Sequence, residues 1–222
     1  MEVAMITVDR QPQYAQRTLA SMFADPGAAK NRVRICVGST TAEHLGAWKT
    51  DERVEVETMD AAEAAMMMSK GVIHRAAINS ARALQGDGGL FFCHDDLEFT
   101  SDWTSKLDRI IEKVPKEEFV LALWSSATFS PLLVKHGFAP YNPRVFFGDI
   151  AYYVSPKARE RLKVFLWEDG YEKGLMPADL LVQKFCLWST ALFCAVPNLV
   201  QHVGGVSTGC SSWCPTSPTY LP

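Results

Sequence analysis

Three ionisable side chains, His94, Asp95 and Asp96, come directly after the apolar run GLFFC at 89–93. In open α/β sheets, ligands bind beside the carboxyl ends of the strands, and this run would end at such a position. Two adjacent carboxylates repel each other unless a cation lies near them. Hard divalent cations such as Mn²⁺ and Mg²⁺ prefer carboxylate oxygens as ligands. The pattern therefore predicts a divalent-cation site, although a pair of aspartates in a turn is the ordinary alternative.

Two residues elsewhere have side chains that suit the same chemistry. His202 lies close to the glycines at 204–205, where backbone can approach a ligand, so its imidazole is a candidate metal ligand. Asp179 stands at the start of a predicted helix, where the helix dipole keeps a carboxylate ionised, and is a candidate general base. The alternatives are a surface histidine and a helix-capping aspartate. Asp149 and Asp169 are rival candidates for the base.

Apolar, β-branched runs alternate with amphipathic segments along the chain. The runs predict strands at 3–8, 32–38, 54–59, 89–94, 119–124, 145–154 and 191–196. The segments between them predict helices at 13–24, 61–85, 102–113, 156–166 and 178–189. This alternation predicts a single α/β domain with a central mixed, mainly parallel sheet and helices on both faces. The stretch 125–143 contains three prolines and is predicted as a long loop over one end of the sheet.

The composition is typical of a compact domain. The chain has 222 residues, is 48% hydrophobic and carries a formal net charge of −3, so its bulk charge does not predict a polyanion-binding surface. A local basic groove could still be lined by several basic residues, although a solvated helix face explains most of them. These residues are Lys135, Arg144, Lys157, Arg159, Arg161 and Lys163. Because no apolar run reaches about 18 residues, we expect no transmembrane segment. The N-terminus has an acid at Glu2 and does not match a signal peptide, and four cysteines lie in apolar runs. These features favour a cytoplasmic location.

Taken in order, these features resemble the nucleotide-sugar-dependent glycosyltransferases of the GT-A fold, and among them the N-acetylglucosaminyltransferase-like members. The segments that carry the resemblance are TVDRQPQYAQRTLASM (7–22), HRAAINSARAL (74–84), FFCHDDLEF (91–99), FFGDIAYYVSPKA (146–158), MPADLLVQKF (176–185) and PNLVQHVG (197–204). The resemblance implies one domain over 1–222. Within it we expect a nucleotide-sugar-binding half at 1–100, an acceptor-side half at 101–202 and an irregular tail at 203–222.

The resemblance also implies a role for each candidate residue. Asp96 and His202 would hold Mn²⁺ or Mg²⁺, and Asp179 would accept the proton of an acceptor hydroxyl in an inverting reaction. The residues expected to bind the nucleotide-sugar donor are Thr7, Asp9, Arg10, Asn79 and Asp95. His94 departs from the family pattern, which has an acid at the first position of the triplet.

The implied function is transfer of a sugar from a nucleotide-diphosphate sugar, with a UDP-sugar as the expected donor, to an acceptor hydroxyl. The acceptor would be a glycan, a lipid-linked sugar, a protein or a modified DNA base of a phage or bacterial system. A nucleotidyltransferase is one alternative, but the loop VDRQPQY at 8–14 lacks the glycines of a phosphate-binding loop. A non-catalytic nucleotide- or carbohydrate-binding domain is the other alternative.

Overall fold

A sheet of mixed direction forms the centre of the molecule. The computed structural model describes residues 1–10, 12–69, 72–146, 150–168, 178–204 and 217–220. The strands in these ranges are β1 (Glu2–Thr7), β2 (Val33–Val37), β3 (Val54–Glu57), β4 (Leu90–His94), β5 (Leu97–Phe99), β6 (Phe119–Ala122), β7 (Phe138–Pro140), β8 (Ala151–Val154), β9 (Ala191–Ala195) and β10 (Val200–His202). Eight of these described strands pair in the order β3-β2-β1-β4-β8-β6-β9-β7, and β5 pairs with β10 in a separate ribbon.

The directions of the strands match the predicted architecture. Strands β1, β2, β3 and β4 are parallel to one another. Strand β8 is antiparallel to both β4 and β6. Strand β9 is parallel to β6, and the edge strand β7 is antiparallel to β9. Among the described strands of the large sheet, only β7 and β8 therefore oppose the common direction, which confirms the mixed, mainly parallel sheet.

Helices cover both faces of this sheet. They are α1 (Ala15–Phe23), α2 (Ala61–Ser69), α3 (Val72–Ala83), α4 (Trp103–Lys113), α5 (Pro156–Phe165) and α6 (Ala178–Ser189), and short 3-10 helices lie at Ala28–Lys30, Glu43–Thr50 and Pro143–Val145. Helices α1 and α4 pack on one face and α3, α5 and α6 on the other. In β1, Val3 and Met5 belong to the first cluster, whereas Ala4 and Ile6 belong to the second. A strand buried on both faces needs such an unbroken apolar run, and the sequence has one here.

The structure differs from the sequence prediction in the short elements. Strands β5, β7 and β10 have three residues each and were not predicted, since a run this short carries no usable periodicity. The predicted strand at 145–154 is shorter, because 143–145 forms a 3-10 helix and β8 begins at Ala151. The predicted helix at 61–85 consists of α2 and α3. In the described ranges, no helix combines the length and apolar character needed to cross a membrane.

One arginine of the predicted basic surface lies in the interior instead. Arg159 on α5 is fully buried, and its Nη1 donates to Glu2 Oε2 at 2.6 Å. Its Nε donates to the carbonyl of Leu84 at 3.0 Å, and its guanidinium also binds the backbone carbonyls at 85, 87 and 88. The suggestion that Arg159 lines a groove is therefore wrong. It joins α5 to the first strand and to the turn before β4.

We expect Arg159→Met to lower the free energy of unfolding by about 3–5 kcal/mol, because it removes a buried ion pair with Glu2 and leaves several backbone carbonyls without their donor. Urea denaturation followed by circular dichroism measures this change. Arg161→Met is the matched control, since Arg161 lies two residues further along α5 and pairs with Glu118 in a half-exposed setting. Its cost should stay below about 1 kcal/mol. Equal costs for the two variants would contradict the structural role of Arg159.

Candidate functional site

The carboxyl ends of β1 and β4 meet at the acidic triplet. Ile6 of β1 stands beside His94 of β4, so Thr7 and Asp95 continue the two strands side by side. The hydroxyl of Thr7 donates to Asp95 Oδ2 at 2.5 Å. Asp95 and Asp96 are only 4% and 6% exposed, so both carboxyl groups are shielded from bulk water. Two buried acids at one strand end need compensating charge.

Arg10 supplies part of that charge. Its Nη2 lies 2.5 Å from Asp95 Oδ1 and 3.0 Å from Asp96 Oδ2, so one guanidinium nitrogen bridges the two carboxylates. The guanidinium also lies 4.9 Å from the ring centre of Tyr14, and the Arg10 side chain is only 10% exposed. The bridge offsets part of the negative charge of the acidic pair.

The ribbon of β5 and β10 brings His202 to the pair from the far end of the chain. His202 stands beside Leu97 in the register, and the amide of Val203 donates to the carbonyl of Asp96 at 2.9 Å. The His202 Nε2 consequently lies 3.1 Å from Asp96 Oδ2. The ring of Trp124 borders the imidazole edge-on at 6.1 Å between centroids. Two of the predicted site residues, Asp96 and His202, are thus in direct contact.

Helix α1 holds the backbone of the acidic turn. Thr18 of α1 donates its hydroxyl to the carbonyl of Asp95 at 2.6 Å and accepts from the amide of Leu97 at 2.9 Å. Thr18 is fully buried, so these bonds are shielded from water. The positions of Asp95 and Asp96 therefore depend on the packing of α1 as well as on β4.

Burial and nearby charge act differently on the two carboxyl groups. Burial raises the pKa of Asp95, and the Asp96 charge adds to that effect against the opposing charge of Arg10. Burial also favours the neutral form of Asp96, but its hydrogen bond to His202 and the charges of His202, His94 and Arg10 prevail and lower its pKa below the usual range. Asp96 is therefore ionised at neutral pH, as a carboxylate that binds a metal must be.

Two contributors to the site were missed by sequence reasoning. His44, in the 3-10 helix at 43–50, has its Nε2 3.1 Å from the Thr7 hydroxyl, which extends the chain of contacts His44–Thr7–Asp95. Burial lowers the pKa of His44, against the charge of Asp9. Thr18 is the other. The sequence around His44 resembles no motif. Thr18 lies within the segment 7–22 that carries the resemblance, but its role depends on contacts with the distant residues Asp95 and Leu97.

Two predicted site residues, Asp9 and Asp179, lie outside this hydrogen-bonded cluster, and Asn79 meets it at the carbonyl of Thr7, to which it donates at 3.5 Å. The Asn79 side chain is buried and braces the strand ends, donating to the carbonyl of Cys36 at 2.9 Å and accepting from Arg82 at 3.0 Å. Asp9 is exposed. Asp179 is half-buried in the first turn of α6. Their assigned roles stay predictions, and the rival bases Asp149 and Asp169 lie outside the described residues.

The contacts around Asp96 fit a divalent cation. The 3.1 Å between His202 Nε2 and Asp96 Oδ2 is close to the separation of about 2.9–3.0 Å between adjacent ligands of an octahedral ion with bonds of about 2.0–2.1 Å. The second oxygen, Asp96 Oδ1, is buried and has no hydrogen-bond partner within the described ranges. Three or more metal-binding side chains do not cluster anywhere in those ranges. Among the described residues, Asp96 and His202 are thus the candidate pair of ligands, which suits an ion that takes its other ligands from water and phosphate.

The strand order and the helices on both faces, with the acidic turn after β4, define a GT-A-like fold. Among solved structures, the chain is similar to the crystal structure of GalNAc-T7 with UDP, GalNAc and Mn²⁺, at 12% identity and a TM-score of 0.63. The match covers 95% of this chain and 45% of that one, so the chain spans slightly less than half of its neighbour's length. This degree of identity shows the fold alone.

The predicted GT-A fold is confirmed by this likeness. The narrower resemblance to N-acetylglucosaminyltransferases is not supported, because the sugar in the neighbouring structure is GalNAc. A scan against protein-family models gives no match. A search of curated proteins gives none either.

Gly204 is expected to be indispensable for the contact of Asp96 with His202. A Cβ at Gly204 would lie 2.3 Å from Asp96 Oδ2, so Gly204→Ala must displace the carboxylate or the end of β10. We expect a loss of about 1–3 kcal/mol in the free energy of unfolding and a shifted His202 imidazole signal in the ¹⁵N NMR spectrum.

Gly88→Ala is the control for this experiment. A Cβ there meets no atom within 4 Å, and its cost comes from the positive φ of 84° alone. It should lower stability without moving the His202 signal. An unchanged His202 signal in Gly204→Ala would contradict the packing described around Asp96.

Proposed function

We propose that the protein is a metal-dependent glycosyltransferase that moves a sugar from a nucleotide-diphosphate sugar to an acceptor hydroxyl. The observation that carries this proposal is the buried contact of Asp96 with His202 at the carboxyl end of β4, beside the Arg10 bridge. Support comes from the GT-A-like fold and from the UDP and Mn²⁺ in the neighbouring structure. A UDP-sugar is the proposed donor and Mn²⁺ or Mg²⁺ the proposed cofactor.

The residues at the ends of β1 and β4 are proposed to bind the donor. Asp95 and Thr7 already form a hydrogen-bonded pair at this position, and the positive charge of Arg10 beside them is proposed to attract the diphosphate. Asp9 lies two residues after the end of β1 and is exposed, and it is proposed to contact the nucleoside. Asn79 supports the same edge of the sheet, because its side chain donates to the carbonyl of Cys36 near the end of β2.

Asp96 and His202 are proposed to hold the cation. Bound there, a divalent ion would act as a Lewis acid that stabilises the charge of the departing diphosphate. Asp96 suits this task because its lowered pKa keeps it ionised. Asp96 is buried and His202 is largely covered, which strengthens their electrostatic effect because little water screens it.

Asp179 is proposed to complete an inverting displacement. The acceptor oxygen attacks the anomeric carbon from the side opposite the diphosphate, the carbon–oxygen bond to the diphosphate breaks, and Asp179 takes the acceptor proton. Its place in the first turn of α6 favours the ionised form that a base requires. The acceptor is proposed to be a glycan, a lipid-linked sugar, a protein or a modified DNA base.

Asp96→Asn is expected to abolish Mn²⁺-dependent hydrolysis of a UDP-sugar, with a drop of about 10²-fold or more, because it removes a charged metal ligand. The assay screens UDP-, GDP- and TDP-sugars with and without Mn²⁺ and follows release of the nucleoside diphosphate. Glu98→Gln is the control, since Glu98 lies two residues further on and pairs with Arg17 on the exposed side. Full activity in Asp96→Asn would exclude the metal role. Binding of UDP without turnover in the wild type would instead indicate a binding module.

Asp179→Asn is expected to slow sugar transfer by about 10²–10⁴-fold while leaving UDP and Mn²⁺ affinity unchanged, because a general base acts on the acceptor and not on the donor. Transfer rates with an identified acceptor and calorimetric titration of UDP separate the two effects. Asp149→Asn and Asp169→Asn tested in parallel rank the rival bases. A normal transfer rate in Asp179→Asn would remove it as the base.

A further inference from the structure

Arg10 and a cation bound at Asp96 would share one carboxylate oxygen. Asp96 Oδ2 accepts from Arg10 Nη2 at 3.0 Å and contacts His202 Nε2 at 3.1 Å. An ion bonded to that oxygen at about 2.0–2.1 Å would therefore lie no more than about 5 Å from the guanidinium nitrogen. The exposed fractions of the Arg10, Asp96 and His202 side chains are 10%, 8% and 15%.

Repulsion between the two positive centres would consequently be poorly screened. Charges in a buried setting interact much more strongly than the same charges in water. The acidic pair contributes two negative charges at most, and Arg10 already neutralises part of this amount. A divalent ion that enters alone must displace the guanidinium or lie against it, and either event weakens binding.

A nucleoside diphosphate reverses this balance. Its phosphates bring negative charge that attracts both the ion and the guanidinium, so the two cations can then be accommodated together. We propose that Arg10 is the resident counter-ion of the site and makes cation binding conditional on the diphosphate: the free ion is disfavoured, whereas the ion together with the diphosphate is accepted. This inference rests on the proposed function, because it takes Asp96 and His202 as the cation ligands.

The coupling can be measured with Mn²⁺ and UDP as probes. Electron paramagnetic resonance of free Mn²⁺ at constant pH gives the Mn²⁺ dissociation constant without UDP and with saturating UDP, and no turnover is involved. The ratio of the two constants is the coupling factor. The affinity of Mn²⁺ for UDP in solution is the same for every variant, so it cancels when the ratios are compared.

Arg10→Gln removes the charge and keeps hydrogen-bond donors. We expect it to bind Mn²⁺ alone at least about tenfold more tightly than the wild type, and its coupling factor to fall by about tenfold or more. Arg10→Lys retains the charge and should stay close to the wild type. Arg17→Gln is the matched control, because Arg17 also pairs with an acid of the same segment, Glu98, but at 2.7 Å on the exposed surface. It should change neither constant.

The outcomes separate this inference from the proposed function. Wild-type protein that binds Mn²⁺ neither alone nor with UDP would remove the proposed function. Wild-type protein that binds Mn²⁺ with UDP, together with an Arg10→Gln variant whose affinity for Mn²⁺ alone is equal or weaker, would overturn the role of Arg10 and leave the function intact. Thermal denaturation without ligands checks that Arg10→Gln is folded. If it is not folded, Arg10→Lys and Arg10→Ala are compared in the same titration. Equal or weaker affinity of Arg10→Ala for Mn²⁺ alone would then overturn the role of Arg10.

Discussion

The cost of burying two neighbouring carboxylates governs the architecture around the end of β4. Asp95 and Asp96 are almost fully removed from water, and an unpaired buried charge is among the most destabilising features a fold can contain. The structure meets this cost with contacts drawn from three distant segments: Thr7 at the end of β1 with Arg10 just after it, Thr18 on α1, and His202 on β10. Each of these segments is in turn fixed by the sheet or by its ribbon. The site is therefore a consequence of the fold's topology rather than of any local motif.

The large elements and the acidic turn could be predicted from the sequence because their signals are local. The unbroken apolar run of β4 ends at a pair of aspartates, and a parallel sheet places such an end where ligands bind. The parallel strands β1, β2 and β4 are buried on both faces and show the corresponding apolar runs. Helices such as α4, with Trp103 and Leu107 on one side, carry an equally clear period.

The contacts that complete the site were beyond sequence reasoning, since they depend on tertiary packing. The meeting of His202 with Asp96 requires the pairing of β5 with β10, two strands of three residues that no period reveals. His44 reaches Thr7 from a 3-10 helix with no recognisable pattern. Arg159 lies in a segment whose sequence is typical of a surface helix, yet its guanidinium is buried and binds several backbone carbonyls. In each case a polar side chain is committed to a partner dozens of residues away, and only the three-dimensional structure shows which one.

The long separation in sequence between Asp96 and β10 has a consequence for how the protein is made. Asp96 leaves the ribosome more than a hundred residues before His202, and the amide that fixes its backbone belongs to Val203. Thr7, Arg10 and α1 can hold the acidic turn as soon as residues 1–99 have been made. Completion of the centre requires synthesis through β10, so a nascent polypeptide released before β10 emerges would carry the acids without their imidazole partner.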